Sequence, residues 1–271
     1  MINSPLAKAK PILDAAYQQV RLPPAHGIGH ERVKAENAEL GLYDYIFSSN
    51  DEVDAALLDL GIPECRILKT SFGWTRSRFA SAPVERAPGD GLRFVFVGSI
   101  DVRKGAPNLV EAWTKAAVDG QLLFAGSVEA GLRPIMESAF AKSDITHLGH
   151  VADVAELYRA CDVFVFPTHE EGGPQVTYEA AACGLPVITT PMGAARLIED
   201  GVTGLIAPAG DVDALAISMQ CLASEPDLRA RLAANAHSAV DRFEYENVGH
   251  NRAALLARVV SRYAAASSRN D

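Results

Sequence analysis

At 271 residues, 48% of them hydrophobic and 22% charged, the chain has enough apolar surface to bury one sizeable core or two small ones. A formal net charge of −9 leaves no broad basic field to offset phosphate repulsion, which argues against a nucleic-acid partner. No apolar run approaches the roughly 18 to 20 residues of a membrane span, and residues 1 to 24 hold no uninterrupted signal-peptide core, so the expected location is the cytoplasm, with peripheral attachment to a membrane as the variant.

In chain order, "HERVKAENAELG" (30–41) reads as a helix, "YDYIFSS" (43–49) as a strand, residues 51 to 60 as a helix and "CRILKTSF" (65–72) as a strand. Residues 73–91, rich in Ser, Ala, Pro and Arg, read as a linker. A regular alternation follows: strand "LRFVFVGSI" (92–100), helix "APNLVEAWTKAA", strand "QLLFAGSV", helix "LRPIMESAFAKS", strand "ITHLGHV", helix "DVAELYRAC" and strand "DVFVFPTH". Then come strand "LPVITTP", helix "AARLIED", strand "TGLIAPAG" and a helical tail whose last helix spans about 247 to 266. Strands this continuously apolar are covered on both faces, which calls for a parallel sheet between helices, a Rossmann-like α/β domain. The four cysteines, Cys65, Cys161, Cys183 and Cys221, form no CxxC pair, which argues against a disulfide framework or a zinc site.

Open α/β sheets bind ligands beyond the carboxyl ends of their strands, so the loops after Ile100, Val128, Val151, Thr168 and Pro191 are the places to look. Neither the GxGxxG dinucleotide fingerprint nor a GxxxxGK[ST] P-loop occurs, which disfavours an ordinary dehydrogenase or NTPase. In "GSIDVRKGAPN", Arg103 and Lys104 precede Gly105 at the mouth of a helix, a setting suited to a diphosphate; an exposed basic pair is the plain alternative. In "THEEGGPQVTYEAAACGLP" (168–186), Glu171 and Glu179 bracket a strand-to-helix turn. Pro174 suits the first helical turn and leaves the amides of Gly173, Gln175 and Val176 free to donate. Glu179 stands among Val176, Tyr178 and Ala180–Cys183, where a carboxylate is costly unless hydroxyls, such as a ribose diol, or a cation satisfy it. Glu170 beside Glu171 suggests a solvated acidic corner, and His150 and His169 read as incidental loop histidines.

"EGGPQVTYEAAACGLPV" resembles the E-x7-E signature of retaining GT-B glycosyltransferases, glycosyltransferase family 4 (glycosyl transferases group 1), in the variant with Pro after the glycines. The resemblance extends over about residues 31 to 265, through "VGSIDVRKGAPNLVEAW", "HLGHVADVAELYRACDVFVFPTHEE" and "GAARLIEDGVTGLIAPAGDVDALA" in the family's order. It implies that Lys104 binds the donor diphosphate, Glu179 the nucleotide ribose and Glu171 the donor sugar near the reacting carbon. Gly173, Pro174, Gln175 and Val176 would line the sugar and phosphate pocket, and the segment around Val151 would meet the nucleobase. Many members carry an arginine where this chain has Ser99, so one phosphate cation is missing or is supplied by Arg103.

The implied function is transfer of a sugar from a UDP-, GDP- or ADP-sugar to a sugar, lipid or protein acceptor, with retention of configuration. Lys104 and Glu171 would be the catalytic pair, and no metal or other cofactor is called for. A non-catalytic nucleotide-sugar-binding module and a GT-B-like epimerase or phosphorylase are the alternatives. The expected division is a partial acceptor-side domain (1–72), a linker (73–91), a nucleotide-sugar domain (92–241) and a C-terminal helix (242–271). Because the first strands of an acceptor domain have no counterpart in residues 1 to 30, a second copy or a partner chain is expected to complete that side.

Overall fold

A computed structural model of the chain describes residues 4–79 and 91–267. Most of the expected linker lies outside those residues. The first element is a helix that the sequence reading did not anticipate, α1 (Leu6–Gln19), which continues through Pro11. It buries Ala9, Leu13, Ala16 and Tyr17, a stripe at helical spacing. Next come α2 (His30–Leu42) and β1 (Ile46–Ser48). The Asn50 side chain caps α3 (Asp51–Asp59) by accepting from the Val53 amide at 2.8 Å, and Asp51, Glu52 and Asp54 place negative charge at its positive end. β2 (Ile67–Lys69) pairs in parallel with β1 to make a separate two-stranded sheet.

After the short α4 (Arg76–Phe79), the large unit runs β3 (Leu92–Val97), α5 (Ala106–Ala116), β4 (Gly120–Ala125), α6 (Arg133–Phe140), β5 (Ile145–Gly149), α7 (Val154–Arg159) and β6 (Val163–Phe166). It continues through α8 (Gln175–Ala182), β7 (Val187–Thr189), β8 (Leu205–Ile206), α9 (Val212–Ser224) and α10 (Pro226–Val240), and α11 (Tyr245–Ser267) closes the chain. The six strands are parallel in the order β5-β4-β3-β6-β7-β8. Residues 94–97 and 163–166 are wholly buried, as strands covered by helices on both faces require. Asp153 and Asp211 cap α7 and α9 through the amides of Glu156 and Ala214. The segment expected as the helix "AARLIED" is instead a series of turns, because Ala195 and Arg196 both take positive φ, 57° and 55°, a backbone a right-handed helix excludes.

This strand order sets the site. The chain leaves β3 toward β4 and β5, then returns to β6 on the other side of β3, so the loops after β3 and β6 flank the point where the winding reverses. At such a point the two loops diverge and leave a crevice for ligand.

Candidate donor site at the switch point

The loop after β3 is shaped by its backbone bonds. The Lys104 amide donates to Asp101 Oδ1 at 2.8 Å, and Gly105 begins α5 with φ 73°. A Cβ at Gly105 would lie 2.1 Å from the Pro167 carbonyl oxygen, so glycine is what lets this loop meet the one after β6. The His169 amide donates to the Arg103 carbonyl at 2.8 Å and Thr168 Oγ1 donates to the same oxygen at 3.2 Å.

The charged side chains converge across this seam. Lys104 Nζ lies 2.5 Å and Arg103 Nη1 3.0 Å from the same oxygen, Glu171 Oε1. Arg103 Nη1 also donates to the Glu170 carbonyl at 3.2 Å and stands 3.7 Å from its carboxylate. Lys104 Nζ is 4.9 Å from the centre of the Phe166 ring. Burial pushes the Glu170 carboxyl up to about 7, with Arg103 opposing and Glu171 reinforcing the rise. Glu170 is 8% exposed, which corrects the reading of a solvated acidic corner. What encloses the turn arrives from far along the chain. Asn50 Nδ2 donates to the carbonyls of Glu171 and Gly172 at 3.3 and 3.1 Å, and Ser49 Oγ donates to the Gly172 carbonyl as well.

Glu179 sits on the second turn of α8, half-buried, and its carboxylate has no hydrogen-bond or ion-pair partner among the described residues. Burial raises its pKa, and the charge of Arg78 offsets only part of that rise. Among the described residues its carboxylate forms no ion pair with an arginine. Gly173 packs so closely on Phe72 that a Cβ would lie 1.7 Å from its ring. Pro174 is buried and precedes α8, Gln175 is exposed and Val176 is half-buried; the amides of Gly173, Gln175 and Val176 donate to no described group.

Ser99 is exposed in the β3 loop, and Val151 is half-buried beyond β5 against the core. Beside it, a cavity of about 420 Å³ lies between the ends of β4 and β5 and helix α6, with Gly126, Arg133, Phe140 and His150 in its wall. Lys104, Glu171 and Glu179 do not line it. A second cavity of about 430 Å³ lies under α1, where Ala16 and Gln19 face Glu52, His169, Met192 and Gly210. His169 is buried, its Nε2 2.9 Å from Asn108 Oδ1, and burial lowers its pKa. Sequence reasoning missed Asp101, Ser49, Asn50 and α1; the signals were the Asx turn before "KG" and the polar "SSN" at the end of a strand.

The fold is that of the GT-B glycosyltransferases. The sucrose-phosphate synthase of Thermosynechococcus elongatus superposes with a TM-score of 0.76 at 25% identity, over 92% of this chain and 66% of that one. Anabaena HepE, solved in complex with UDP-glucose, superposes with a TM-score of 0.69 at 19% identity, over 93% of this chain and 77% of that one. Residues 91–225, just under half of the chain, match the family described as Glycosyl transferases group 1. The capsular polysaccharide biosynthesis glycosyltransferase CapM of Staphylococcus aureus is 34% identical over 160 residues, 56% of this chain and 42% of that protein. The chain spans about half the length of the curated relatives it matches. No helix among the described residues is long and apolar enough to cross a membrane.

Proposed function

We propose that the chain carries the donor half of a glycosyltransferase that takes a sugar from a UDP-, GDP- or ADP-sugar. The observation that carries this reading is the meeting of Arg103 and Lys104 on Glu171 at the switch point between β3 and β6. A solved neighbour in complex with UDP-glucose adds support. In this reading the diphosphate draws Lys104 and Arg103 from Glu171, which is then free to accept from hydroxyls of the donor sugar. Glu179, whose carboxylate has no partner among the described residues, receives the ribose diol, and the cavity beside Val151 receives the base.

Charge growing on the departing diphosphate is met by Lys104, Arg103 and the undonated amides at the start of α8, with Arg103 standing in for the arginine that Ser99 replaces. That scheme calls for no metal ion. The acceptor attacks on the face the diphosphate leaves, which retains the anomeric configuration. We assign residues 92–241 to the donor domain, 1–72 to the acceptor side, 73–91 to the linker between them and 242–271 to a C-terminal helix. The cavity under α1 is the place for an acceptor hydroxyl. In this reading a partner chain or second copy contributes to the acceptor side, in the cytoplasm or at a membrane surface.

The test is incubation with a panel of nucleotide sugars and acceptors. Acceptor-dependent release of nucleoside diphosphate supports transfer, binding without release under all conditions supports a binding module, and an isomerised sugar supports epimerisation. Failure to bind any nucleotide sugar removes the donor reading.

A further inference from the structure

Two carboxylates crowd the two cations of the cradle. Arg103 Nη1 is shared between Glu171 at 3.0 Å and Glu170 at 3.7 Å, while among the described residues Lys104 Nζ is ion-paired with Glu171. Glu170 therefore has one shared cation. Its backbone is pinned, since its carbonyl accepts from Arg103 Nη1 at 3.2 Å and shares the Thr168 hydroxyl, 3.0 Å away, with the Arg103 carbonyl. The groups that act on its carboxylate are Arg103 and Lys104 from the β3 loop and Glu171 beside it. On the neighbouring elements, His169 is buried against Asn108 of α5, and Glu52 of α3 lies across the cavity that His169 lines.

Arg103 and Lys104 are matched by Glu170 and Glu171, and Asp101 of the β3 loop acts on both cations as well, so the cradle holds no surplus positive charge for the two negative charges that the diphosphate of a sugar nucleotide brings. Arg103 and Lys104 can serve the phosphates only by leaving the acids. Glu171 would then have sugar hydroxyls to accept from. Glu170 is 8% exposed and would be a buried carboxylate with no cation, close to the incoming phosphates.

Resting on the reading of Arg103 and Lys104 as diphosphate ligands, we propose that Glu170 takes up a proton when the donor binds, so that capture of a sugar nucleotide draws one proton from solvent into the cradle. The carboxylate becomes a carboxylic acid whose O–H can donate to a phosphate oxygen or to Glu171. A repulsive neighbour is thereby converted into a hydrogen-bond donor. Burial already holds Glu170 at about 7, and loss of Arg103 to the phosphates raises it further. The sign follows. Well below that value Glu170 is protonated before binding, and donor affinity does not vary through this group. Above it, binding takes up as much as about one proton, and affinity falls by up to roughly tenfold per pH unit until the value in the complex is passed.

The experiment is titration calorimetry of the whole chain with UDP-glucose at about pH 8 in two buffers of different ionisation heat. The phosphates of UDP-glucose stay ionised throughout, so its own titration does not enter. Wild type is expected to take up close to one proton, and Glu170→Gln, checked for folding by thermal melting, to bind without uptake and with a flattened pH dependence. Binding by wild type with no proton uptake overturns the proposal, and uptake that persists in Glu170→Gln assigns the proton elsewhere and also overturns it. If UDP-, GDP- and ADP-glucose all fail to bind, the donor reading falls first and this inference with it.

Discussion

The two sheets of this chain are held in place by different forces. Among the described residues, the six-stranded sheet and its helices share one cluster of 52 buried apolar residues, whereas the two-stranded sheet has a cluster of six: Leu40, Ile46, Val53, Leu57, Ile62 and Ile67. The small sheet is placed largely by polar contacts. Arg196 reaches Asp54 at 2.8 Å, the Thr70 carbonyl at 2.9 Å and also Asp51, and Arg252 donates to Thr70 and to the Ser71 carbonyl. α1 belongs to both sides, with its start tied to Glu36 of α2 and its end to Glu129 and Gly210 of the large unit. The positions of Arg103, Lys104 and Glu171 are thus fixed by a dense apolar core. The grip of Ser49 and Asn50 on the same turn is as firm as the polar contacts that dock the small sheet.

The comparison breaks or sharpens first at two glycines of similar backbone. Gly105 has φ 73° with a carbonyl oxygen 2.1 Å from its missing Cβ, while Gly61, after α3, has φ 81° and open space around it. Gly105→Ala should cost about 2 to 4 kcal/mol of stability, combining backbone strain with a clash against a rigid strand end. Gly61→Ala should cost about 1 kcal/mol, the strain alone. Chemical denaturation of both variants measures the gap; equal losses would mean that the seam between the β3 and β6 loops yields as easily as an open turn.

A smaller effect concerns Glu179. Its folded-state pKa is raised by burial, so its charge works against the native state at neutral pH, and that penalty is absent below the unfolded value of about 4.3. Glu179→Gln should therefore gain about 0.5 to 1 kcal/mol at neutral pH, with the gain disappearing in acid, while affinity for UDP drops about tenfold. Thermal melts at both pH values and a nucleotide titration check this. A variant that loses stability at neutral pH would make Glu179 a structural residue.

Much of this was legible in the sequence where the physics is local. The buried strands announce themselves as apolar runs, and the two acids of "EGGPQVTYE" lie on one strand-turn-helix unit, so their spacing alone places them on either side of the turn. Other features were set by contacts across the chain. Glu170 looks solvated beside another acid, and its burial comes with Asn50 and Ser49, about 120 residues away, closing on the adjoining carbonyls. Ala195 and Arg196 are good helix formers that tertiary packing holds at positive φ, with the Tyr178 hydroxyl on the Ala195 carbonyl. α1 escaped notice because Pro5 and Pro11 punctuate it, although Leu13, Ala16 and Tyr17 already marked a helical face.

The most direct test of the donor site is a phosphate ladder on Lys104→Ala, comparing uridine, UMP and UDP by titration against wild type. If Lys104 meets the diphosphate, the loss should be near zero for uridine, intermediate for UMP and about 10- to 100-fold for UDP, the scale of a charged hydrogen bond. Equal losses across the three ligands, or UDP bound as tightly as by wild type, would contradict the account and remove Lys104 from the donor site.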